Sequence, residues 1–462
     1  MIDWIRRLNL HGAPHQLKRS APSASLKKRK GFKAVILLAE ISLLYGCSAS
    51  SRTGQQTLSG RWEGVAEISD KRTRAIVDFT PDANGSLKAT ISVPDERLLG
   101  KPLINVRYEP PQLHFELQAS ERKITFDGSR SDEVISGTIR GGEVSGPLLL
   151  RHVGVTPPTA YAQEEVRFHN GEVTLAGTLL IPPSRGRHPA VVLIHGSSTP
   201  SRNDFRFYAD LFARRGIAAL IYDKRSVGAD PGEANRFDLR ELAGDALAAV
   251  ELLKSRDDID SRQIGLWGHS EGGWVAPIAA AQAKDVAFVI SFSGPGVTYA
   301  EVNKNADANR LHKHGFSDAD VREATEALTR VDEYVRRGGD EHELQTFLDE
   351  ASRKTWASQS TLPRRVPSVE EIHTWLRWRD LDLDPVIYWE QIKVPVLIMF
   401  GELDDVVPVR ISADRIEAAL KHAGNKDVTI RIFPGANHTI ESAPDFLDVM
   451  IEWTAKRVRT TK

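Results

Sequence analysis

Six short, mostly apolar runs recur through the second part of this chain, and they constrain its fold more than any other feature. They are Ala190–Ile194, Ile217–Tyr222, Ile264–Trp267, Phe288–Ser291, Val394–Phe400 and Val428–Phe433. Stretches of helical texture, such as Leu239 to Lys254, lie between them. A strand that is apolar along its whole length has no face to give to solvent. Alternation with amphipathic helices therefore predicts a mostly parallel, doubly wound sheet covered on both sides. A hairpin-like opening (Glu165–Phe168 and Leu175–Ile181) precedes the series. The expected class is α/β, with the sheet and its helices filling residues 160–462.

Residues 298–390 break the alternation. They are helical in texture (Asp318 to Arg337, Glu341 to Arg353) and carry Trp356, Trp375, Trp378 and Trp389. An insert of that size ahead of the strand at Val394 is expected to form a helical cap over the C-terminal edge of the sheet, where open α/β sheets bind ligands. Its tryptophans are expected to form cap core, and they also hint at an apolar pocket.

Ahead of Thr156-Pro-Pro158 the periodicity changes to two. Arg74–Phe79, Leu87–Val93, Gln112–Leu117, Lys123–Phe126 and Val134–Ile139 alternate apolar and polar residues, broken by Asn84-Gly85, Asp127-Gly128 and Gly141-Gly142. That spacing predicts a small antiparallel β domain over residues 60–155, a sheet closing on itself. Its opening, Gly60-Arg-Trp-Glu-Gly64, resembles the start of lipocalin-like barrels. A structural accessory role is expected ahead of ligand binding. Residues 48–59 are small and polar and read as a linker.

The first 33 residues hold nine Lys or Arg and one acid, Asp3. The apolar run Ala34–Gly46 follows and leads to Cys47, the single cysteine of the 462 residues. A basic flank, a short apolar run and a small-residue cleavage point form an export signal. Residues 1–47 resemble a bacterial lipoprotein signal, which implies acylation of Cys47, attachment to a membrane through the N-terminus and a place in the cell envelope. An uncleaved anchor helix and a cytoplasmic protein are the alternatives. One cysteine excludes an internal disulfide and a cysteine-based zinc site. With 61 Lys and Arg against 62 Asp and Glu, the net charge of −1 gives no field that would draw the chain to nucleic acid.

The chemistry gathers around Gly268-His-Ser-Glu-Gly272, a Gly-x-Ser-x-Gly match lying between the strand Gln263–Trp267 and a helix that starts at Gly273. Ser270 is thereby placed on a strand–turn–helix elbow, with glycines where the turn is strained and the helix must approach the strand. The helix N-terminus faces any oxyanion formed there. A serine hydroxyl needs a base, and the base an orienting carboxylate. Both follow in the chain order serine, acid, histidine. Gly401-Glu-Leu-Asp404-Asp405-Val-Val-Pro408 and Pro434-Gly-Ala-Asn-His438 are loops just beyond strand C-termini.

On these motifs residues 164–460 resemble an α/β-hydrolase of the serine esterase and serine aminopeptidase-like branch, close to dienelactone-hydrolase-type esterases. The resemblance implies Ser270 as nucleophile, Asp404 as acid with Asp405 as competitor, and His438 as base. It implies an oxyanion hole from the amides of Glu271 and of Ser197, in the loop His195-Gly-Ser-Ser198, with Ser198 as alternative donor. The loop Tyr222-Asp-Lys-Arg-Ser-Val-Gly228 matches a family marker, expected to hold Asp223 and Arg225 in pairing behind the site, with Asp245 in support. His269 is expected to point away, and His312, His314 and His422 to be structural or solvated. The implied activity is hydrolysis of a small-molecule carboxylic ester with a small to medium acyl group, through an acyl-enzyme, with no cofactor and no metal. Peptide or thioester cleavage by the same triad is the alternative within enzymes. A catalytically silent binding protein is the alternative outside them.

Overall fold

A computed structural model describes residues 58–458, apart from 69–70, 83, 85, 120–121, 143, 198–200, 226, 228–235 and 284. The expected export segment with Cys47 lies outside the described residues, as does the alternative oxyanion donor Ser198. Among the described residues no helix is long and apolar enough to cross a membrane.

Nine strands form the first unit: β1 (Gly60–Ile68), β2 (Lys71–Pro81), β3 (Leu87–Val93), β4 (Leu98–Pro102), β5 (Ile104–Glu109), β6 (Gln112–Ala119), β7 (Arg122–Ser131), β8 (Val134–Gly141) and β9 (Val144–Gly154). Their order is β4-β3-β2-β1-β9-β8-β7-β6-β5, every pair antiparallel. The Leu103 amide, between β4 and β5, donates to the Ala89 carbonyl of β3 at 2.9 Å, so the sheet curls into a nearly closed barrel. Period-two alternation sends Trp62, Val77, Phe79, Phe115, Phe126, Ile135 and Leu150 inward, all buried. Phe115 and Phe126 stack at 4.6 Å across β6 and β7. A void between Ala66, Thr73, Ile91 and Leu148 measures about 10 Å³, room for no more than a water. The barrel interior is filled by side chains.

The second unit is an eight-stranded sheet in the order β10-β11-β13-β12-β14-β15-β16-β17. The strands are β10 (Ala162–Asn170), β11 (Val173–Ile181), β12 (His188–Ile194), β13 (Ala218–Tyr222), β14 (Ile259–His269), β15 (Val289–Phe292), β16 (Val396–Gly401) and β17 (Val428–Phe433). Of the opening hairpin, β11 runs antiparallel to both its neighbours, β10 and β13, and the six strands from β13 to β17 run parallel. Strands β12, β13, β15 and β16 are buried at every position, which accounts for their predominantly apolar character. The chain leaves β12 for β13 on one side and returns to β14 on the other. The loops after β12 and β14 therefore part at this reversal and leave a crevice at the sheet's C-terminal edge.

The helix Leu239–Lys254 behind the crevice is started by a capping box between Asp238 and Glu241. The helix Gly272–Gln282 is apolar on all sides and almost wholly buried. Between β15 and β16 stand the cap helices Tyr299–Lys313, Asp318–Arg337, Glu341–Ala351, Val369–Thr374, Leu376–Arg379 and Val386–Trp389. Trp356 and Trp378 pack in the cap's own core with Leu328, Val331 and Leu348, and Trp375 lies against it. Trp389 joins the core of the sheet. Trp356, Trp378 and Trp389 thus form core as expected, and Trp378 also lines a cleft with Val335, Ile372 and Leu383.

Candidate active site

Ser270 follows the last residue of β14 and precedes the helix Gly272–Gln282. Its φ is +54°, in the left-handed region that costs a non-glycine residue about 1–3 kcal/mol. The turn is held by the Ser270 amide donating to Phe292 O at 2.9 Å and the Gly273 amide donating to Ser270 O at 2.8 Å. Gly268 is required here: a Cβ at this position would stand 2.0 Å from Gly272 O. At Gly273 a Cβ would meet the Gly294 Cα at 2.2 Å. The elbow is thus a strained serine carried on backbone that no side chain may enter.

The structure brings Ser270, His438 and Asp404 into one hydrogen-bonded chain. His438 Nε2 lies 3.0 Å from Ser270 Oγ, and His438 Nδ1 lies 2.7 Å from Asp404 Oδ2. The other Asp404 oxygen accepts from the Val406 and Val407 amides at 2.8 and 2.9 Å. Its side chain is fully buried. With both oxygens engaged, the carboxylate is fixed in one orientation and holds the imidazole tautomer. Asp405 turns outward instead, half exposed, with Lys313 Nζ 4.0 Å away. The turn after β15 adds a support that the sequence did not single out: Ser293, at φ +51°, donates from Oγ to the His438 carbonyl at 2.7 Å.

Glu271 opens the helix after the elbow, so its amide belongs to the unpaired first turn. Ser197 lies exposed in the turn after β12, and the register Ile194↔Gly268 carries that loop out beside residues 269–271. A Cβ on Gly272 would touch Ile194 O at 2.6 Å and His195 O at 3.0 Å, a measure of how closely loop and elbow approach.

The loop after β13 contributes Lys224, which sequence reasoning passed over. Lys224 Nζ reaches Glu271 Oε1 at 2.6 Å, with both side chains at most 3% exposed. The ammonium also sits 4.8 Å from the Phe237 ring centre. The expected pairing of Asp223 with Arg225 is corrected. Arg225 binds Asp245 through two bonds of 2.8 and 2.6 Å and Glu241 at 3.1 Å, while Asp223 accepts from the Arg202 amide at 2.9 Å. Asp223 and Arg225 are thus each taken by other partners, and Lys224 between them turns inward to Glu271. Asp245, fully buried, also accepts from Asn170 at 2.8 Å. These contacts hold the guanidinium above its ordinary value, through the Asp245 bond first.

The remaining histidines divide by burial. His195 is buried against Tyr222 at 5.0 Å between ring centres, and burial, then the Lys224 charge, holds its imidazole well below the usual histidine range. His269 is buried beside Phe292, its ring centre 5.5 Å from that of His438. His312, His314 and His422 are exposed. Among the described residues no three His, Cys, Asp or Glu are grouped as metal ligands would be.

A model of the alpha/beta hydrolase family matches residues 191–448, more than half of the chain. The polyketide transferase grgF of a Penicillium species is 37% identical over 120 residues, 26% of this chain and 40% of its own length. The thiohydrolase aneE of Aspergillus aculeatus is 33% identical over 118 residues, 25% of this chain and 36% of its own. The chain spans less than half the length of the curated relatives it matches. A solved esterase of Pyrococcus furiosus superposes on 67% of this chain and 97% of its own, with 18% identity and a TM-score of 0.43. With the sheet order, the elbow and the family match agreeing, the chain belongs to the alpha/beta hydrolase family.

Proposed function

We propose that the protein is a serine hydrolase that cleaves carboxylic esters of small to medium acyl groups. The observation that carries this reading is the unbroken chain from Asp404 through His438 to Ser270, with spacings of 2.7 and 3.0 Å. In the proposed reaction Ser270 Oγ attacks the ester carbonyl while its proton passes to His438 Nε2. Asp404 stabilises the imidazolium through Nδ1–H. The Ser197 and Glu271 amides receive the oxyanion. His438 then gives its proton to the departing alcohol, and water, deprotonated by the same imidazole, releases the acid and restores Ser270.

Thioester cleavage is the second reading, favoured by the name of the Aspergillus relative, a thiohydrolase. The triad itself selects no leaving group. The reading of residues 1–47 as an export signal acylated at Cys47, with the enzyme held at a membrane of the cell envelope, belongs to the same proposal and rests on sequence.

The test is turnover of p-nitrophenyl esters from acetate to laurate by the full chain, beside Ser270→Ala and matched acyl thioesters. Hydrolysis that vanishes in the variant and peaks at one chain length supports the esterase. Hydrolysis that survives Ser270→Ala overturns the site, and a preference for the thioesters moves the reaction to the second reading.

A further inference from the structure

The β domain touches the catalytic unit at one instructive point. Between β3 and β4 a short turn, Pro94–Glu96, ends in Arg97, whose φ is +53°. The Arg97 side chain crosses to the other domain and meets the segment directly after His438. Nη1 donates to Thr439 O at 3.1 Å, and Nη2 donates to Ile440 O at 3.2 Å and Glu441 O at 3.4 Å. Nη1 also lies 3.4 Å from the Tyr208 hydroxyl, and the guanidinium covers the Phe446 ring at 5.0 Å. Lys101 pairs with Asp204 a few residues along the same edge.

The segment that Arg97 holds is strained. Ile440 has φ +51°, which a β-branched residue adopts only when its surroundings impose it. Within its own loop the segment has the Asn437 side chain on the Thr439 amide at 3.1 Å and the Asn437 carbonyl on the Ile440 amide at 3.0 Å. Those bonds engage amides, while the three successive carbonyls are engaged by one side chain from another domain. A planar guanidinium can bind several carbonyls at once, which an ammonium cannot.

We propose that Arg97 is a positioning residue for His438, and that the β domain is therefore part of the catalytic unit and not a spacer. This rests on the reading of Ser270, His438 and Asp404 as the triad. Arg97 acts by fixing the strained turn from which the histidine projects. A misplacement of 1 Å at a reacting group costs on the order of a hundredfold in rate, so loss of this anchor is read in kcat, while binding of the ester is left alone.

The experiment compares Arg97→Ala, Arg97→Lys and Lys101→Ala in the full chain. It reads kcat per fluorophosphonate-titratable site, KM for p-nitrophenyl butyrate, and amide hydrogen exchange. In Arg97→Ala, kcat is expected to fall roughly tenfold or more with KM within about twofold. Exchange should rise in the peptide spanning 436–446 and stay unchanged across the elbow at 264–275. Arg97→Lys, which can serve fewer carbonyls, should fall between; Lys101→Ala, at the same interface, should keep kcat within about twofold. A folded Arg97→Ala with wild-type kcat and wild-type exchange at 436–446 overturns the proposal. If Arg97→Ala does not fold, Arg97→Lys must show the same split between kcat and KM, and its absence is equally fatal. Should the wild type hydrolyse no ester, the esterase reading fails alone. Exchange at 436–446 then still decides the anchor, a rise upholding it and no change refuting it.

Discussion

Replacing Lys224 by methionine strikes a buried ion pair beside Ser270, and its cost can be worked from the structure. The pair spans 2.6 Å with side chains 3% and 2% exposed, and the second Glu271 oxygen has no hydrogen-bond partner among the described atoms. Removing the ammonium leaves a buried carboxylate with nothing to balance it, which destabilises by about 3–5 kcal/mol. At about 2–4 °C per kcal/mol for a domain of this size, the melting temperature should fall by roughly 6–20 °C. Glu271 also presents the proposed oxyanion amide. Deleting a whole donor costs about 10²- to 10³-fold in kcat, so a donor that is only loosened should cost less, roughly tenfold. The double variant Lys224→Met/Glu271→Met keeps the amide and replaces the pair by apolar groups, so stability should return to within about 1–2 kcal/mol of wild type. Thermal unfolding by circular dichroism and p-nitrophenyl ester turnover read the two quantities separately. A Lys224→Met protein that melts within about 2 °C of wild type and keeps its kcat would refute the argument at both steps.

Two further outcomes follow from the site. Asp404→Asn should lower kcat by about 10⁴-fold with the fold intact, because the amide favours the wrong tautomer of His438, whereas Asp405→Asn should leave ester turnover within about twofold; equal losses in a side-by-side assay would undo the assignment of the acid. His195, whose folded value lies well below the ordinary 6.5, is neutral in the folded state while the unfolded chain takes up a proton as pH falls below that value. Stability is therefore held above about pH 6.5 and lost progressively below it, and melts from pH 7.5 to 5 should show a smaller loss in His195→Gln than in wild type.

The parts of this molecule that the sequence revealed share one physical property: their signal is local. A strand buried on both faces must be almost wholly apolar, and β12, β13, β15 and β16 are, with His188 and Ser291 as their only polar side chains. The elbow needs glycine where backbone meets backbone, and its glycines stand within the motif itself. Signals that depend on distant partners were silent. Residues 259–263, Ile-Asp-Ser-Arg-Gln, extend β14 with no apolar pattern, because that end of the strand lies where side chains reach solvent. Lys224 and Glu271 are 47 residues apart, and a buried pair looks in sequence like two surface charges. Trp356 and Trp378 had two readings because apolar character says only that a side chain leaves water, and not for which cavity. Arg97 sits in a polar turn of another domain, 342 residues before the carbonyl of Thr439 that it holds.

Strain shows how these distant contacts serve the site. Outside glycine, the described backbone enters the left-handed region at Arg97, Asn105, Asp132, Ser270, Ser293 and Ile440. Four of the six lie on one path: Ser270 itself, Ser293 bonded to the His438 carbonyl, Ile440 two residues beyond that histidine, and Arg97 holding Ile440. Each costs about 1–3 kcal/mol and persists only where surrounding contacts outweigh it. Those contacts come from separate regions. Arg97 of the β domain fixes the histidine turn, and Lys224 from the loop after β13 fixes Glu271. Asn309 and Asn305, on the cap helix Tyr299–Lys313, donate to the Asp405 and Val406 carbonyls at 3.1 and 2.9 Å, beside the acid. A rearrangement of either appendage would thus be felt at a different member of the proposed triad: the cap at Asp404, the barrel at His438. The sheet places the three side chains along one edge, and the appended layers supply the contacts that keep them within bonding distance.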